Sequence, residues 1–436
     1  MSMEDQINLI YKHFLNSEGI STDSRKIKKN SIFFSLKGEN FDGNKFANEA
    51  LDKGALYSVV DDKEIFNASK NLILVDNCLD ALQNLAKLHR SKFNIPVVGI
   101  TGSNGKTTTK NLLYHVLSSK FKVYATKGNL NNHIGVPLSI LEMDDSYEIA
   151  IIEMGASAVG EIQQLSSICN PSVGLITNIS SSHIKGFENF DGVIRGKSEL
   201  FDYLIKNHGK VFINNNDLVI NNFAKRFKDP IFLFGDNSFV KSSLISSVPN
   251  VTFEISNSQK FKSNLIGSHN YENIVFALSI GKYFGVSEEN AAKEISKFYS
   301  NDNRSQLIRC NSNTIILDAY NANPVSMKYA LETLSKFDKY KIAILGDMLE
   351  LGKISKTEHE GIGRFVSNLK LDQVYYVGSR MKNAYLADNN SFWFNNKSDL
   401  ESELNKIQIK DSVVLLKGSR SLMLESLVPL IKKISA

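Results

Sequence analysis

The residues whose types and spacing most directly do chemistry are Gly99-Ile-Thr-Gly-Ser-Asn-Gly-Lys-Thr-Thr-Thr109. They lie between an apolar run, Ile95–Ile100, and a stretch in which Leu112, Leu113, Val116 and Leu117 make one helical face. That is the strand–turn–helix setting a phosphate loop needs. Glycines there let successive N–H groups converge on phosphate oxygens, and the helix N-terminus adds a positive dipole end. Gly102, Ser103, Asn104, Gly105, Lys106, Thr107 and Thr108 are therefore candidate phosphate contacts. Lys106 would bring charge to the β- and γ-phosphates and Thr107 a hydroxyl to Mg²⁺. The strict GxxxxGK[ST] pattern wants glycine at position 100, where this chain has Ile100, so the loop is a variant. The plainer reading, an ordinary glycine-rich turn, is disfavoured by the GKTTT run.

Other polar residues stand where apolar runs stop. Glu153 follows Ile149–Ile152, His183 follows Val173–Thr177 in the loop SSSHIKGF, and Asp318 follows Thr314–Leu317. Open α/β sheets gather ligands at the carboxyl ends of their strands. For Glu153 the competing reading is a surface carboxylate, and a lone histidine such as His183 is usually not a ligand. Asn270 and Asn273 are three apart on an expected helix and so share a face, which capping and surface polarity would also explain. Tyr320, Asn321 and Asn323 line a turn that Pro324 closes before the next helix.

The elements that must position these groups fall into three segments. Residues 1–93 mix expected strands at Ser31–Leu36 and Leu72–Val75 with a helix at Ala81–Arg90. Residues 94–302 open on a continuous apolar run and alternate strands with helices, which predicts a central phosphate-loop domain on a mostly parallel sheet. Residues 303–436 repeat the alternation, with strands at Thr314–Leu317, Lys341–Leu345, Gln373–Val377 and Ser412–Leu416. Helices are expected there at Ser326–Lys336, Thr357–Leu369 and Leu422–Ile434, giving a second, smaller Rossmann-like α/β domain. His359 reads as a helix-surface histidine. The 436 residues are 42% hydrophobic and 22% charged, which excludes a disordered or fibrous chain. No window approaches the roughly 18 apolar residues of a membrane span. The net charge of +5 is spread among interspersed signs, so no nucleic-acid surface is indicated. Three scattered cysteines (Cys78, Cys169, Cys310), with Glu4 and Asp5 where a signal peptide would be basic, point to the cytoplasm. No obvious exposed apolar stripe is present, and a monomer is expected.

TGSNGKTTT resembles the ATP loop of the Mur ligase family, which builds the peptide stem of bacterial cell-wall precursors. Further similar stretches occur in the family's order along essentially the whole chain. They are Asp23-Ser-Arg25, SIFFSLKG from Ser31, Phe41-Asp-Gly43, GNLNNHIGVP from Gly128, Glu153-Met-Gly-Ala156, Thr177-Asn-Ile179, Arg195-Gly-Lys-Ser-Glu199, Gly267-Ser-His-Asn270, DAYNANP from Asp318, GDMLELG from Gly346 and Lys417-Gly-Ser419. The resemblance implies an N-terminal UDP-binding domain, a central ATP domain and a C-terminal domain for the incoming amino substrate. GNLNNHIGVP and YNANP point, within the family, to addition of D-alanyl-D-alanine to UDP-N-acetylmuramoyl-tripeptide through an acyl phosphate.

The resemblance also implies roles. Glu153 would join Thr107 on a first Mg²⁺, and His183 would hold a second. Lys197 would react with CO₂, its carbamate oxygen becoming a ligand of that second ion; a solvated lysine near Glu199 is the bland reading. The family's usual neighbour of this lysine is alanine, where this chain has Gly196. Asn270 and Asn273 would lie near the adenine and its ribose, Arg304 (with Arg309 as rival) would reach the phosphates, and Asp318 would hold the ribose. Ser24, Arg25, Asp42 and Gly43 would meet the nucleotide sugar, though plain turn chemistry also fits them. Asn129 and Asn132 would meet the muramoyl or peptide part, and Tyr320, Asn321 and Asn323 complete the substrate set. The competing readings are a sister ligase adding the third stem residue, a folylpolyglutamate synthase-like enzyme, and a phosphate-loop ATPase switch that works through partners.

Overall fold

Val97–Thr101 is buried along its whole length because both of its faces are covered. Its side chains alternate between two cores. Val97 joins one with Ala150, Ile152 and Ile176; Val98 and Ile100 join the other with Ile149, Ile151 and Leu175. A strand apolar on both faces reads as a continuous run, which makes it visible in the sequence. A computed structural model of the chain describes residues 2–67, 70–300, 303–388 and 390–435. The expected segment limits at 1, 302 and 436 lie outside the described residues.

The central sheet is wholly parallel. Its spatial order is Ile231–Phe232, Lys210–Ile213, Val173–Ile176, Val97–Thr101, Ile149–Glu153, Val123–Ala125. The chain leaves Val97–Thr101 toward one edge and later returns to its other side, so the strand order reverses there. The carboxyl ends of Val97–Thr101, Ile149–Glu153 and Val173–Ile176 flank that switch point, where α/β sheets open a crevice. A small antiparallel sheet, Ser242–Ser246, Thr252–Ile255 and Lys260–Lys262, is appended to this region.

The N-terminal region carries a four-stranded parallel sheet, Ile20–Ser21, Ile32–Phe34, Tyr57–Val60, Leu72–Leu74. Its helix Cys78–Arg90 begins earlier than the spacing predicts, because Asn77 accepts from the Asp80 N–H and caps it. That helix packs on Gly135–Leu141 and Glu161–Cys169. Arg90 is buried and donates to the carbonyls of Cys169, Phe93 and Ile95. One apolar core thus runs from Ile7 and Ile10 into the central sheet.

The C-terminal sheet runs Gln306–Cys310, Asn313–Asp318, Ser412–Lys417, Tyr340–Gly346, Gln373–Val377, Phe392–Phe394, antiparallel only at its first edge. Helix Pro324–Ser335 starts with proline at its first turn and Asn323 as its cap. The expected helix Leu422–Ile434 is corrected. Two 3₁₀ turns, Arg420–Leu422 and Leu424–Leu427, precede an α-helix that spans only Val428–Ile434. Met423 takes a left-handed conformation between the turns (φ 47°), and Pro429 sits in the first turn of the α-helix, where its missing N–H costs nothing.

Candidate functional site

The loop after Val97–Thr101 is pinned before any ligand arrives. Gly102 has φ 143°, and a Cβ there would collide with Thr177 Oγ1. The Asn104 carbonyl accepts from Thr177 Oγ1 (2.6 Å) and Asn178 Nδ2 (3.0 Å), and the Asn104 N–H donates to Asn178 Oδ1 (3.0 Å). The next strand's exit therefore holds the loop that opens helix Lys106–Ser118. Lys106 Nζ folds back onto the carbonyls of Gly102 (2.6 Å) and Ser103 (3.4 Å). Burial pulls its pKa down to about 8, partly restored by Glu153 and lowered again by Arg304.

Glu153 is 1% exposed. Its Oε1 accepts from Thr107 Oγ1 (3.1 Å) and Asn131 Nδ2 (2.7 Å). Its Oε2 is buried without a hydrogen-bond partner, with Lys110 Nζ 3.6 Å away. A buried carboxylate oxygen without a donor is costly unless a cation takes it. Asn131 and Lys110 are two residues that sequence reasoning passed over. Asn131 sits between the chosen Asn129 and Asn132, and Lys110 lies one helical turn beyond Lys106 on the same face.

Asn270 and Asn273, on helix Ser268–Tyr283, are buried beneath the loop. Thr109 Oγ1 donates to Asn273 Oδ1 (3.1 Å), Asn273 Nδ2 to Asn270 Oδ1 (2.9 Å), and Asn270 Nδ2 to the Ile266 carbonyl (2.7 Å). The pair thus braces the first turn of the loop helix as well as lining the cleft.

The C-terminal domain closes the other wall. Asp318 is paired with Lys417 at 2.7 Å, directly across the register of neighbouring strands. Arg304 stacks on Tyr320, its guanidinium carbon 3.6 Å from the ring centroid, and its buried Nε has no partner. Arg309 lies exposed on the outer strand Gln306–Cys310, away from the cleft. Asn323 Nδ2 donates to Asn104 Oδ1 (2.7 Å), joining this domain to the phosphate loop. His183 Nδ1 lies 2.5 Å from Glu350 Oε2, and that contact holds the Glu350 carboxyl below its usual pKa.

One cleft of about 440 Å³ gathers most of the sequence-derived candidates. Ser103 through Thr108, Asn129, Asn132, Glu153, His183, Asn270, Asn273, Arg304, Asp318, Tyr320, Asn321 and Asn323 line it. Gly102 and Lys197 lie just behind the lining. Lys197 is 1% exposed, donates to the Ala156 carbonyl (3.1 Å) and faces the Phe187 ring. Burial, aided by Lys106, drives its pKa well below the ordinary lysine value. Ser24, Arg25, Asp42 and Gly43 are elsewhere, in the N-terminal domain. The Ser24 carbonyl accepts from Lys53, Arg25 is 85% exposed and bonded to Asp23, and Asp42 caps the turn Gly43–Phe46. Among the described residues, no group of three or more His, Cys, Asp and Glu side chains forms a metal cluster.

His359 is not on the surface. It is fully buried, its Nε2 accepts from the Met348 N–H (3.1 Å), and its Nδ1 donates to the Ser355 carbonyl (2.6 Å). Burial lowers its pKa, in keeping with a neutral ring.

Three family models match the chain: "Mur ligase family, catalytic domain" over residues 16–90, "Mur ligase middle domain" over 100–281 and "Mur ligase, glutamate ligase domain" over 303–420. The UDP-N-acetylmuramoyl-tripeptide–D-alanyl-D-alanine ligase of Bacillus subtilis is 36% identical, covering 94% of this chain and 92% of its own. A crystal structure of MurF from Acinetobacter baumannii superposes with a TM-score of 0.87 at 29% identity, covering 95% of this chain and 93% of that one. MurF from Thermotoga maritima in complex with ADP gives 0.85 at 28% identity, over 97% and 98%.

Proposed function

Because the chain belongs to the Mur ligase family, we propose that it joins D-alanyl-D-alanine to UDP-N-acetylmuramoyl-tripeptide at the expense of ATP. The observation that carries this reading is the convergence of the phosphate loop, Glu153 and Arg304 on one cleft between two domains. The curated relatives supply its substrates. A carboxylate and an amine form only a salt, so the carboxylate first attacks the γ-phosphorus of ATP and ADP leaves. The dipeptide amine then attacks the acyl carbon, and the tetrahedral intermediate expels phosphate. Both partners of the first step are anions, so the cleft must carry positive charge in place beforehand.

The chain's own residues fit that demand. Lys106 exchanges two neutral carbonyls for phosphate oxygens, which restores its full charge. Arg304, clamped flat on Tyr320, keeps a donor free for the same oxygens. The Glu153 Oε2, which has no hydrogen bond and only a long ion pair to Lys110, and the Thr107 hydroxyl fit a Mg²⁺ ion, which typically takes one or two carboxylates and completes its shell with water and phosphate. When bound, it neutralises phosphate charge and polarises the phosphoryl group. Lys197 as an ammonium fits no cation site. Its burial instead supplies a neutral amine, whose nitrogen bonds the carbon of CO₂ and loses a proton to give an anionic carbamate suited, with His183, to a second ion. Ser24, Arg25, Asp42 and Gly43 are assigned to the nucleotide sugar, and Asn129 and Asn132 to the muramoyl-peptide end. Asn270, Asn273 and Asp318 are assigned to the nucleoside, and Tyr320, Asn321 and Asn323 to the incoming dipeptide.

We take the enzyme to act as a monomer, as the sequence suggests, and its three cysteines are free thiols, which supports the cytoplasm. Among the described residues no helix is long and apolar enough to cross a membrane. The test is phosphate release from ATP with UDP-N-acetylmuramoyl-tripeptide and a panel of amines. Release that requires both the tripeptide and D-alanyl-D-alanine is expected. Release with diaminopimelate or glutamate in place of the dipeptide would favour a sister ligase, and release with neither substrate a switch ATPase.

A further inference from the structure

GDMLELG is a motif whose purpose the ligation reaction leaves open. In the structure Gly346–Gly352 leaves the strand Tyr340–Gly346 and is tied down at nearly every residue. Asp347 Oδ1 accepts from the N–H groups of Arg380 (3.1 Å) and Met381 (2.8 Å), and its carbonyl accepts from the Ser419 N–H (3.0 Å). The Met348 N–H donates to buried His359 and the Leu349 N–H to Ser419 Oγ (2.9 Å). Met348 and Leu351 are buried. The residue this scaffold presents outward is Glu350, in a left-handed conformation (φ 62°) that a non-glycine residue adopts at a cost. Its carboxylate meets His183 Nδ1 at 2.5 Å, and its carbonyl accepts from the Lys185 N–H at 3.2 Å. His183 is itself left-handed (φ 53°). Two strained residues from two domains are thus held face to face.

We infer that Glu350 is a positioning residue through which the C-terminal domain sets the tautomer of His183. A carboxylate at Nδ1 fixes the proton there and leaves Nε2 as the ring's lone-pair donor, the device by which second-layer carboxylates orient metal-binding histidines. His183 is then correctly presented only while the C-terminal domain is docked, so docking and site assembly are one event. The inference rests on the reading of His183 as a donor to a cation, but its first test does not require that cation.

The experiment uses the full chain with ¹⁵N-labelled histidine, without nucleotide or metal, followed through a pH series so that each tautomer and the imidazolium are told apart by their nitrogen shifts. Glu350→Gly removes the carboxylate while suiting the positive φ, and Glu350→Gln keeps an acceptor oxygen. The wild type and Glu350→Gln are expected to show His183 protonated at Nδ1. Glu350→Gly is expected to shift it toward the Nε2–H form that free imidazole prefers. In turnover, Glu350→Gly is expected to raise the Mg²⁺ concentration for half-maximal rate by about tenfold or more, and Glu350→Gln to restore it. An unchanged His183 spectrum in Glu350→Gly overturns the inference. A rise confined to the KM for the dipeptide overturns it too, because Glu350 would then be receiving the substrate ammonium. A shifted spectrum with unchanged Mg²⁺ dependence overturns instead the reading of His183 as a cation donor.

Discussion

Two acid–lysine pairs stand at the carboxyl ends of two sheets, and they differ in one respect. Asp318 and Lys417 lie opposite each other in register and are bonded at 2.7 Å, and the second Asp318 oxygen accepts from the Ser305 N–H (3.1 Å). Glu153 and Lys110 come from a strand and a helix and stop at 3.6 Å. Lys110 Nζ is drawn instead to the carbonyls of Thr126 (2.7 Å) and Gly128 (3.1 Å). Both carboxylates face a lysine, but Asp318 has a hydrogen bond on each oxygen, whereas Glu153 keeps one buried oxygen with no hydrogen bond. The difference is in keeping with the proposed roles, a cation beside Glu153 in the central domain and the nucleoside beside Asp318 in the C-terminal one.

The sharpest way to break that contrast is to neutralise each acid in turn. Glu153→Gln should lower kcat by about 10³-fold, the scale of removing one electrostatic contact to a developing charge, with little change in the KM for tripeptide. Asp318→Asn should mainly raise the KM for ATP, by about tenfold. Equal losses in kcat for both variants would erase the distinction. Lys197→Ala comes next, with a loss on the order of 10²–10³-fold. Partial recovery in acetate or formate, measured as initial rate, is expected if a carbamate oxygen is what the variant lacks. A fully active Lys197→Ala would remove this residue from the site.

The contrast also marks what could be read from residues alone. Glu153 and Asp318 were legible because a polar residue ended an apolar run, and fully covered parallel strands make such runs conspicuous. The pairing of each with its lysine was not. Lys417 depends on sheet order, which no local pattern carries, and Lys110 required knowing that Thr126 and Gly128 come back beside the helix. His359 was misplaced although the signal existed: with Ile362 and Val366 it falls at i, i+3 and i+7, the buried face of helix Ser355–Ser367. Glu350 had no periodicity to betray it, since a loop residue is placed by hydrogen bonds to distant groups. The Leu422–Ile434 reading failed because apolar spacing continued through a left-handed Met423.

Arginine offers a smaller test of the same division of labour. Arg304→Ala should weaken ATP by about 10- to 100-fold, the equivalent of one or two charged hydrogen bonds. Arg309→Ala, on the exposed outer strand, should change the KM for ATP less than twofold. A larger effect at Arg309 than at Arg304 would mean that the domain meets nucleotide from a different face.

The smallest expected effect distinguishes the cationic side of the central site by pH. Burial lowers Lys106 to about 8 in the nucleotide-free chain, whereas an unfolded lysine titrates near 10.5. Between those values the folded chain binds fewer protons than the unfolded one, so this group's contribution to stability grows as pH rises. ATP binding has the opposite sign, because the triphosphate needs the ammonium and must restore the proton. Above pH 8 the dissociation constant for ATP should therefore climb by up to tenfold per pH unit, while the urea midpoint of the free chain gains rather than loses from this residue. Lys106→Arg, which stays charged, should flatten the climb in titrations of a fluorescent ATP analogue even if it binds more weakly. A climb that persists unchanged in Lys106→Arg would assign the proton to a different group and separate the loop lysine from the charge that the γ-phosphate meets.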